Sequence, residues 1–318
     1  MTAPGDSGIK FQVCNDLHVN FWIEGKMESI GPTQLYQWID QVLRPDLHTN
    51  MVDGIILAGD VAPILWTPMY TLLECLIKRG YGLVIWIPGN HEYLSEKCHP
   101  SSIEQLNQYA QQRIDDINTR VGDRIFWLPH GILEFPTFNL IGTTLWTIPD
   151  PSDPKTVSHH MFNGETDPCI HTPGGANVVR PSKLDYGIHI TNENGKTVPL
   201  NLTNYTQLAL SQRAWLIQQY KLSLNKPLVV VTHYPPGRWM EQKGVNKRAV
   251  SMYVNDLPIS FFPTNLMIWI SGHTHFGARS KVTFDNGGSV SFISNPIGYP
   301  REYSGNHKSF DPHCVITI

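Results

Sequence analysis

The feature that most limits how this chain can fold is a short apolar run that ends in a polar tetrapeptide. Tyr81 to Pro88 contains the uninterrupted sequence L-V-I-W-I, and Gly89-Asn90-His91-Glu92 follows at once. A short, β-rich run without polar residues predicts a strand buried on both faces. Open α/β sheets carry their functional groups beyond the carboxyl ends of such strands. We therefore expect this tetrapeptide to belong to a site.

Further apolar runs alternate with helical patterns along the first part of the chain. Strands are predicted at Ile9–Cys14, Met51–Ala58 and Tyr81–Pro88, and helices at Pro32–Leu43, Thr67–Lys78 and Ile103–Val121. This β-α-β-α-β-α order is typical of a parallel sheet with helices on both faces. Three short strands are predicted next, at Arg124–Leu128, Gly131–Phe135 and Phe138–Trp146. Their close succession favours an antiparallel stretch or a second sheet.

The stretch from about residue 149 to 204 is rich in proline and lacks regular periodicity. A structureless loop of this length is unusual in a compact domain unless it serves a function. Beyond it, the sequence predicts a helix at Tyr205–Tyr220, strands at Pro227–Thr232 and Leu266–Ile270, a hairpin over Lys281–Ser294 and a last strand at Cys314–Ile318. We interpret residues 1–318 as a single domain that carries a cap-like insertion at about 149–204.

Composition restricts the class of protein and its partners. Hydrophobic residues make up 41% and charged residues 16% of the chain, as in globular proteins. The net charge of -3 gives no overall attraction to nucleic acid or to an anionic membrane. The five cysteines are scattered and form no C-x-x-C pair, which favours reduced thiols. Because the sequence shows no signal-peptide core and no apolar run of about 18 residues, we expect a cytoplasmic protein.

Polar residues that bind metals follow five of the predicted strands. They are Asp16, His18, Asp60, Asn90, His91, His233, His273 and His275. Because parallel strands end at the same edge of a sheet, these side chains are expected to form one cluster. Imidazole and carboxylate together suit Mn, Fe, Zn or Ni better than Ca or Mg. No cysteine joins the set, which argues against a structural zinc site.

The size of this set predicts two metal ions. One ion needs only four to six ligands, so seven or eight candidates indicate a pair of ions that share a bridging carboxylate. Two ions about 3.5–4 Å apart form a clamp for in-line displacement at phosphorus. One acid that does not bind metal, placed near the leaving oxygen, would complete such a site.

The order of these motifs resembles that of the calcineurin-like metallophosphoesterase superfamily. The resemblance rests on Asp16-x-His18, Gly59-Asp60, Gly89-Asn90-His91-Glu92, His233 after a V-V-T strand, and Gly272-His273-x-His275, and it runs from residue 9 to about 276. Asn295 to Glu302 (N-P-I-G-Y-P-R-E) is also similar to an N-P-R-G-Y-P segment of the bacterial and phage-type branch.

The resemblance implies a fold, a ligand set and a reaction. The fold is an α/β sandwich of four layers, in which two mixed β-sheets are flanked by helices. The first metal would be held by Asp16, His18, Asp60 and His275, and the second by Asp60, Asn90, His233 and His273, with Asp60 bridging. A metal-bound hydroxide would attack phosphorus in line. His91 would act as the general acid or as a donor to the phosphate, and Glu92 would orient a ligand or its loop.

Two positions depart from patterns of the superfamily. In the phosphoprotein-phosphatase branch an aspartate often lies three residues after the Gly-Asp aspartate and supports the catalytic histidine, but Pro63 occupies that position here. This argues against a Ser/Thr phosphoprotein phosphatase and leaves open which group orients His91. The arginine of N-P-R-G-Y-P is replaced by Ile297, so a phosphate contact from that position is not expected.

Several functions fit this site. The first choice is a phosphodiesterase that acts on small nucleotides or cyclic nucleotides, because aromatic residues such as Tyr186, Tyr234 and Trp239 could stack on a base. The alternative is a phosphomonoesterase that acts on a small phosphorylated metabolite. A nuclease is disfavoured by the net charge. A protein of another class, a non-catalytic metal-binding scaffold, would be expected to have lost some of the ligands.

Overall fold

The alternation of apolar runs and helices is seen in a computed structural model of the protein, which describes residues 8–23, 30–48, 52–96, 99–150, 186–240, 250–284, 288–303 and 310–318. The strands are β1 (Lys10–Cys14), β2 (Gly54–Ala58), β3 (Leu83–Ile87), β4 (Ser95–Glu96), β5 (Ile125–Trp127), β6 (His130–Glu134), β7 (Asn139–Thr143), β8 (Tyr186–Gly187), β9 (His189–Thr191), β10 (Thr197–Pro199), β11 (Leu228–Thr232), β12 (Leu266–Ile270), β13 (Ala278–Thr283), β14 (Ser289–Ser294) and β15 (Val315–Thr317). The helices are α1 (Val19–Trp22), α2 (Pro32–Trp38), α3 (Pro68–Lys78), α4 (Ile103–Val121), α5 (Leu202–Leu222), α6 (Val250–Tyr253) and α7 (Pro300–Tyr303).

The first sheet has the strand order β15-β1-β2-β3-β5. Its strands run parallel except β15, which pairs antiparallel with β1. Side chains alternate between its two faces, as the pleat requires. Ile55 and Leu57 point to the core shared with α2, α3 and α4, whereas Ile56 and Ala58 point to the opposite core. Both faces of the sheet are therefore buried, which accounts for the uninterrupted apolar runs.

The second sheet has the strand order β13-β14-β12-β11-β7-β6. Its four inner strands are parallel, and β13 and β6 pair antiparallel at the two edges. Val231 and Ile270 face the first sheet and share a core with Val13, Ile56 and Ile85. On the other face, Val230 and Trp269 pack with Leu216 and Tyr220 of α5. The layers are helix, sheet, sheet and helix, so the predicted four-layer α/β sandwich is confirmed.

Helix α4 shows how local sequence determines the element boundaries. Ser102 Oγ accepts a hydrogen bond from the backbone N of Gln105, and the Gln105 side chain accepts one from the backbone N of Ser102. This capping box satisfies two of the backbone donors that a helix start leaves unpaired. The helix ends at Gly122, whose φ of 82° suits glycine. The predicted bounds Ile103–Val121 are confirmed.

Other parts of the prediction differ from the structure in detail. The predicted helix Pro32–Leu43 ends as α2 at Trp38 and continues as a π-turn to Leu43. The three short strands after α4 are split between the sheets, because β5 pairs with β3 while β6 and β7 join the second sheet.

The predicted insertion at 149–204 lies partly outside the described residues, which omit 151–185. Its described remainder is not structureless, because β8 pairs with β4 and β9 forms a hairpin with β10. A capping role for this insertion stays a prediction. Within the described ranges, no helix is both long enough and apolar enough to cross a bilayer, and the cytoplasmic location also stays a prediction.

Candidate metal centre

Loops that follow five strands bring the predicted ligands together. Asp16 and His18 follow β1, Asp60 follows β2, Asn90 and His91 follow β3, His233 follows β11, and His273 and His275 follow β12. Seven of these residues are buried, with exposed fractions between 0% and 7%, and the His275 side chain is 8% exposed. The site therefore lies at the carboxyl ends of strands from both sheets, as in other α/β folds.

The backbone of this region is unusual. Seven non-glycine residues in the described ranges have a positive φ, and five of them are predicted ligands: Asp16, His18, Asp60, His273 and His275, with φ between 46° and 69°. A left-handed conformation at a residue with a side chain costs roughly 1–3 kcal/mol and persists only where the surroundings enforce it. Such outliers concentrate at functional sites.

The first group of ligand atoms comes from Asp16, His18 and His275, which lie within 4.8 Å of one another. Nε2 of His18 and Nε2 of His275 are 2.9 Å apart, and Asp16 Oδ1 is 3.4 Å from His275 Nε2. Both imidazoles thus direct Nε2 to one point.

The second group comes from Asp60, His233 and His273, again within 4.8 Å of one another. His233 Nε2 lies 3.4 Å from Asp60 Oδ2, 3.2 Å from His273 Nδ1 and 3.1 Å from Asn90 Oδ1. Its Nδ1 lies 3.2 Å from the carbonyl oxygen of Ala58. A carbonyl only accepts hydrogen bonds, so Nδ1 carries a hydrogen, and in the neutral imidazole Nε2 is left with the lone pair that can bind metal.

Asp60 lies between the two groups. Its Oδ2 is 3.9 Å from Nε2 of both His18 and His91, and these three residues form a third group within 4.8 Å. Oδ2 is buried and accepts no hydrogen bond within the described part of the chain. A buried carboxylate oxygen left unpaired is costly. The orphaned oxygen and its ring of imidazole nitrogens fit a divalent transition metal. Nε2 of His91 is as close to Asp60 Oδ2 as Nε2 of the predicted ligand His18 is, so this distance does not distinguish His91 from a metal ligand.

A sequence model of the family described as calcineurin-like phosphoesterase matches residues 9–277. The chain belongs to the calcineurin-like phosphoesterase family. The resemblance seen in the sequence motifs is confirmed at the level of the family, and its assignment to the bacterial and phage-type branch stays a prediction.

Three proteins that are similar to this chain share no more than 24% identity with it. An uncharacterized protein of Acanthamoeba polyphaga mimivirus is 24% identical over 250 residues, which span 76% of each chain. A phosphopantetheinyl hydrolase from Mycobacterium tuberculosis superimposes with a TM-score of 0.57 at 16% identity, covering 98% of this chain and 96% of its own. A dimetal phosphatase from Danio rerio has a TM-score of 0.45 at 16% identity, covering 97% of this chain and 90% of its own. The structural likeness to the hydrolase agrees with the four-layer fold.

The charges at the centre compensate one another. Burial alone would raise the pKa of Asp60, but His233, His91 and His18 hold it well below its usual range. Burial opposes the charged form of His233, yet Asp60 raises the pKa of that imidazole to about 8. The pKa of His275 is raised well above its usual value because Asp16 and Glu302 outweigh its burial. The raised pKa values of His233 and His275 thus follow from the buried carboxylates beside them.

Glu92 ties two of the ligand loops together. Its carboxylate accepts hydrogen bonds from the backbone N of Asp60 (2.9 Å), Val61 (2.7 Å) and Gly89 (2.7 Å), and from Nε1 of Trp86 (3.2 Å). Burial and the charge of Asp60 raise the pKa of Glu92 to about 7, although His233 and the backbone donors of Val61 and Gly89 favour its ionised form. The prediction that Glu92 orients a ligand loop fits these contacts.

Two motif glycines are needed because side chains of the site approach their backbone. A Cβ on Gly59 would lie 2.2 Å from Nδ1 of His233, and the φ of Gly59 is 87°. A Cβ on Gly89 would lie 2.1 Å from Oδ1 of Asp60. These contacts explain the glycine of Gly59-Asp60 and the glycine that begins Gly89-Asn90-His91-Glu92.

Pro63 cannot orient His91 as an aspartate at that position would, and the surroundings of His91 show which groups contact it instead. The backbone N of His91 donates to Asp60 Oδ1 at 2.9 Å, and its Nε2 is 3.4 Å from the hydroxyl of Tyr299. The Tyr299 ring stacks on His18, with centroids 4.3 Å apart. Tyr299 was not predicted as a site residue, although it lies in the segment Asn295 to Glu302, which is similar to N-P-R-G-Y-P.

The residues proposed to stack on a base have different environments. Tyr234 is buried, and its ring packs against His273 with centroids 4.1 Å apart, so it offers no open face. Trp239 is 45% exposed and packs on Phe292. The side chain of Tyr186 lies outside the described residues. Ile297, at the position of the expected arginine, is buried in the core beside the first sheet.

Proposed function

We propose that this protein is a phosphoesterase that uses two divalent metal ions. The residues that would hold them are Asp16, His18, Asp60 and His275 for the first ion, and Asp60, Asn90, His233 and His273 for the second. The observation that carries the proposal is the position of Asp60, whose Oδ2 lies between two groups of buried ligand atoms and accepts no hydrogen bond from the residues that the structure describes. Mn, Fe, Zn and Ni all suit this donor set.

Two bound ions supply Lewis acidity, which neutralises charge on the phosphoryl oxygens and makes a nearby water more acidic. The protein contributes the geometry. Glu92 holds the loops that present Asp60 and Asn90, and the Ala58 carbonyl fixes the tautomer of His233. The burial of the ligands excludes bulk water from the centre, which strengthens electrostatic interactions there.

His91 is proposed to give a proton to the leaving oxygen. Its Nε2 faces the centre 3.9 Å from Asp60 Oδ2, and its imidazole is 3% exposed. Loss of a general acid costs about 10²–10⁴-fold in rate. We expect His91→Ala to retain its metal ions and to lose this factor on an alkyl phosphodiester, with a smaller loss on a nitrophenyl ester, whose leaving group needs no proton. An equal loss on both substrates, or metal loss in His91→Ala, would contradict the assignment.

A diester of a small nucleotide or a cyclic nucleotide is the proposed substrate. Phe21 supports this choice in place of Tyr234. Its ring is 45% exposed and lies 6.1 Å from His18 and 5.1 Å from Tyr299, centroid to centroid. An exposed aromatic ring beside a polar centre can stack on a base.

A phosphomonoesterase that acts on a small metabolite is the second candidate, because the same ligand set suits both reactions. Rates on bis(4-nitrophenyl) phosphate and 4-nitrophenyl phosphate, measured with Mn, Fe, Zn and Ni in turn, separate the two. A faster monoester reaction with every metal would reverse the order of the candidates.

A metal-binding scaffold without activity is the third possibility. The complete ligand set argues against it, because Asp16, His18, Asp60, His233 and His275 all converge. Metal analysis together with the phosphoester rates tests the point: about two transition-metal ions per chain with turnover support an enzyme, two ions without turnover support the scaffold, and no bound ion would refute the proposed centre.

A further inference from the structure

The segment Asn295 to Glu302 is attached to the loop that carries Asp16 and His18. Asn15 forms a β-bridge with Pro296, and the backbone N of Ile297 donates to the carbonyl of Asn15 at 3.1 Å. The backbone N of Gly298 donates to the carbonyl of Asp16 at 2.8 Å. These backbone contacts hold the segment against the loop that carries Asp16 and His18.

Glu302, at the end of this segment, contacts two parts of the first group. Its Oε2 lies 2.7 Å from Nδ1 of His275 and accepts a hydrogen bond of 2.7 Å from the backbone N of Tyr299. The backbone leaves room for this carboxylate, because a Cβ on Gly298 would lie 2.5 Å from Oε2 and the φ of Gly298 is 74°. A residue other than glycine at 298 would displace the carboxylate.

We propose that Glu302 is a positioning residue for the first metal ion, an inference that rests on the proposed function. A carboxylate can only accept, so Nδ1 of His275 carries the hydrogen, and Nε2 is left to bind metal. That Nε2 is the atom directed at His18 Nε2 and Asp16 Oδ1, at 2.9 and 3.4 Å. Glu302 thus selects the tautomer and the ring orientation that the site needs.

The two predicted sites differ in this outer contact. Nδ1 of His275 faces a charged carboxylate at 2.7 Å, whereas Nδ1 of His233 faces the neutral carbonyl of Ala58 at 3.2 Å. A carboxylate partner makes an imidazole a stronger metal ligand than a carbonyl partner does. Glu302 therefore strengthens the first site selectively.

Glu302 also acts on the other imidazole of the first site through Tyr299. Its hydrogen bond to the backbone N of Tyr299 holds the residue whose ring stacks on His18. One carboxylate consequently supports the ring orientation of His275 directly and that of His18 through one neighbour.

The test is a Co²⁺ titration of the metal-free full-length protein. Binding is monitored by calorimetry and by visible absorption, and the absorption reports the coordination geometry. The variants are Glu302→Ala, Glu302→Gln and the control Glu134→Ala, which removes an exposed glutamate of β6. Loss of an outer partner of this kind weakens metal binding about 10–100-fold. We expect this loss for one of the two sites in Glu302→Ala, and a partial loss in Glu302→Gln, whose amide oxygen can still accept from Nδ1. The control should match the wild type.

The affected site is identified in a His233→Ala background, which leaves the first site to be titrated alone. There, Glu302→Ala should weaken Co²⁺ binding by the same 10–100-fold. Unchanged binding would overturn the inference, and so would an equal weakening of both sites together with a lower melting temperature, because that pattern indicates a merely structural role. A wild-type protein that binds two ions but hydrolyses no phosphoester would refute the proposed function alone, since the affinities are measured without turnover.

Discussion

Gly89→Ala tests whether the position of Asp60 controls the centre. The added Cβ would lie 2.1 Å from Oδ1 of Asp60 and 2.8 Å from Cε1 of His233. Non-bonded heavy atoms rest at about 3.5 Å, so Asp60 or the backbone at residue 89 has to move by about 1.4 Å. A misplacement of about 1 Å near the reacting atoms costs about 10²-fold in rate. We expect a loss of kcat/KM of at least this size.

The assay is the rate on bis(4-nitrophenyl) phosphate with saturating Mn²⁺, together with metal content and urea unfolding. Overpacking of this kind lowers the free energy of unfolding by about 1–3 kcal/mol, so the variant should stay folded while it loses activity. The matched control is Gly31→Ala, where the nearest atom to the new Cβ is 3.5 Å away. A Gly89→Ala protein with two ions per chain and a kcat/KM within about threefold of the wild type would refute the reasoning.

The remaining predictions concern the pH dependence of stability and the hydroxyl of Tyr299. In the metal-free protein the pKa of His233 is raised from 6.5 to about 8, so its contribution to stability, about 2 kcal/mol, is fully present below pH 6.5 and is lost as pH rises through 8. Urea titrations of the chelated protein at pH 6 and pH 9 check the sign, and a His233→Asn variant should lack this pH-dependent contribution. Tyr299→Phe keeps the stacking on His18 but removes the hydroxyl 3.4 Å from His91 Nε2. The loss of one hydrogen bond should lower kcat about two- to tenfold and leave Co²⁺ affinity unchanged; an altered affinity would contradict this prediction, because it would show that the hydroxyl supports metal binding and not only His91.

The sequence predicted the layers of the fold because each face of each sheet leaves a pattern in the side chains. Runs such as Leu83–Ile87 are apolar throughout because both faces are covered, and α4 is bounded by cap residues that act locally. The division of β5 and β6 between sheets was not predictable in this way. It depends on pairing between strands far apart in the chain, and local patterns do not encode that pairing.

The candidate ligands were found from the sequence because each directly follows a strand. Tyr299 and Glu302 were missed because they lie five and eight residues after the end of β14, in a segment without a strand pattern. Their roles depend on contacts with His18 and His275, which the folded structure brings beside them. Tyr234 failed as a base-stacking candidate for the same reason, since only packing shows that its ring is covered by His273. Sequence patterns locate groups on elements, whereas outer contacts are a property of the folded whole.

The ligands come from both sheets, and this gives the centre a mechanical consequence. Asp16 follows a strand of the first sheet and His273 a strand of the second, 257 residues apart, and the backbone N of His273 donates to Asp16. The first ion, held by Asp16 after the first sheet and His275 after the second, would act as a cross-link, and closing a loop of about that length restricts the unfolded chain by roughly 5 kcal/mol. Metal loss would then weaken the packing of one sheet on the other. Chelation would lower the free energy of unfolding, and the chelated protein would unfold at a lower temperature.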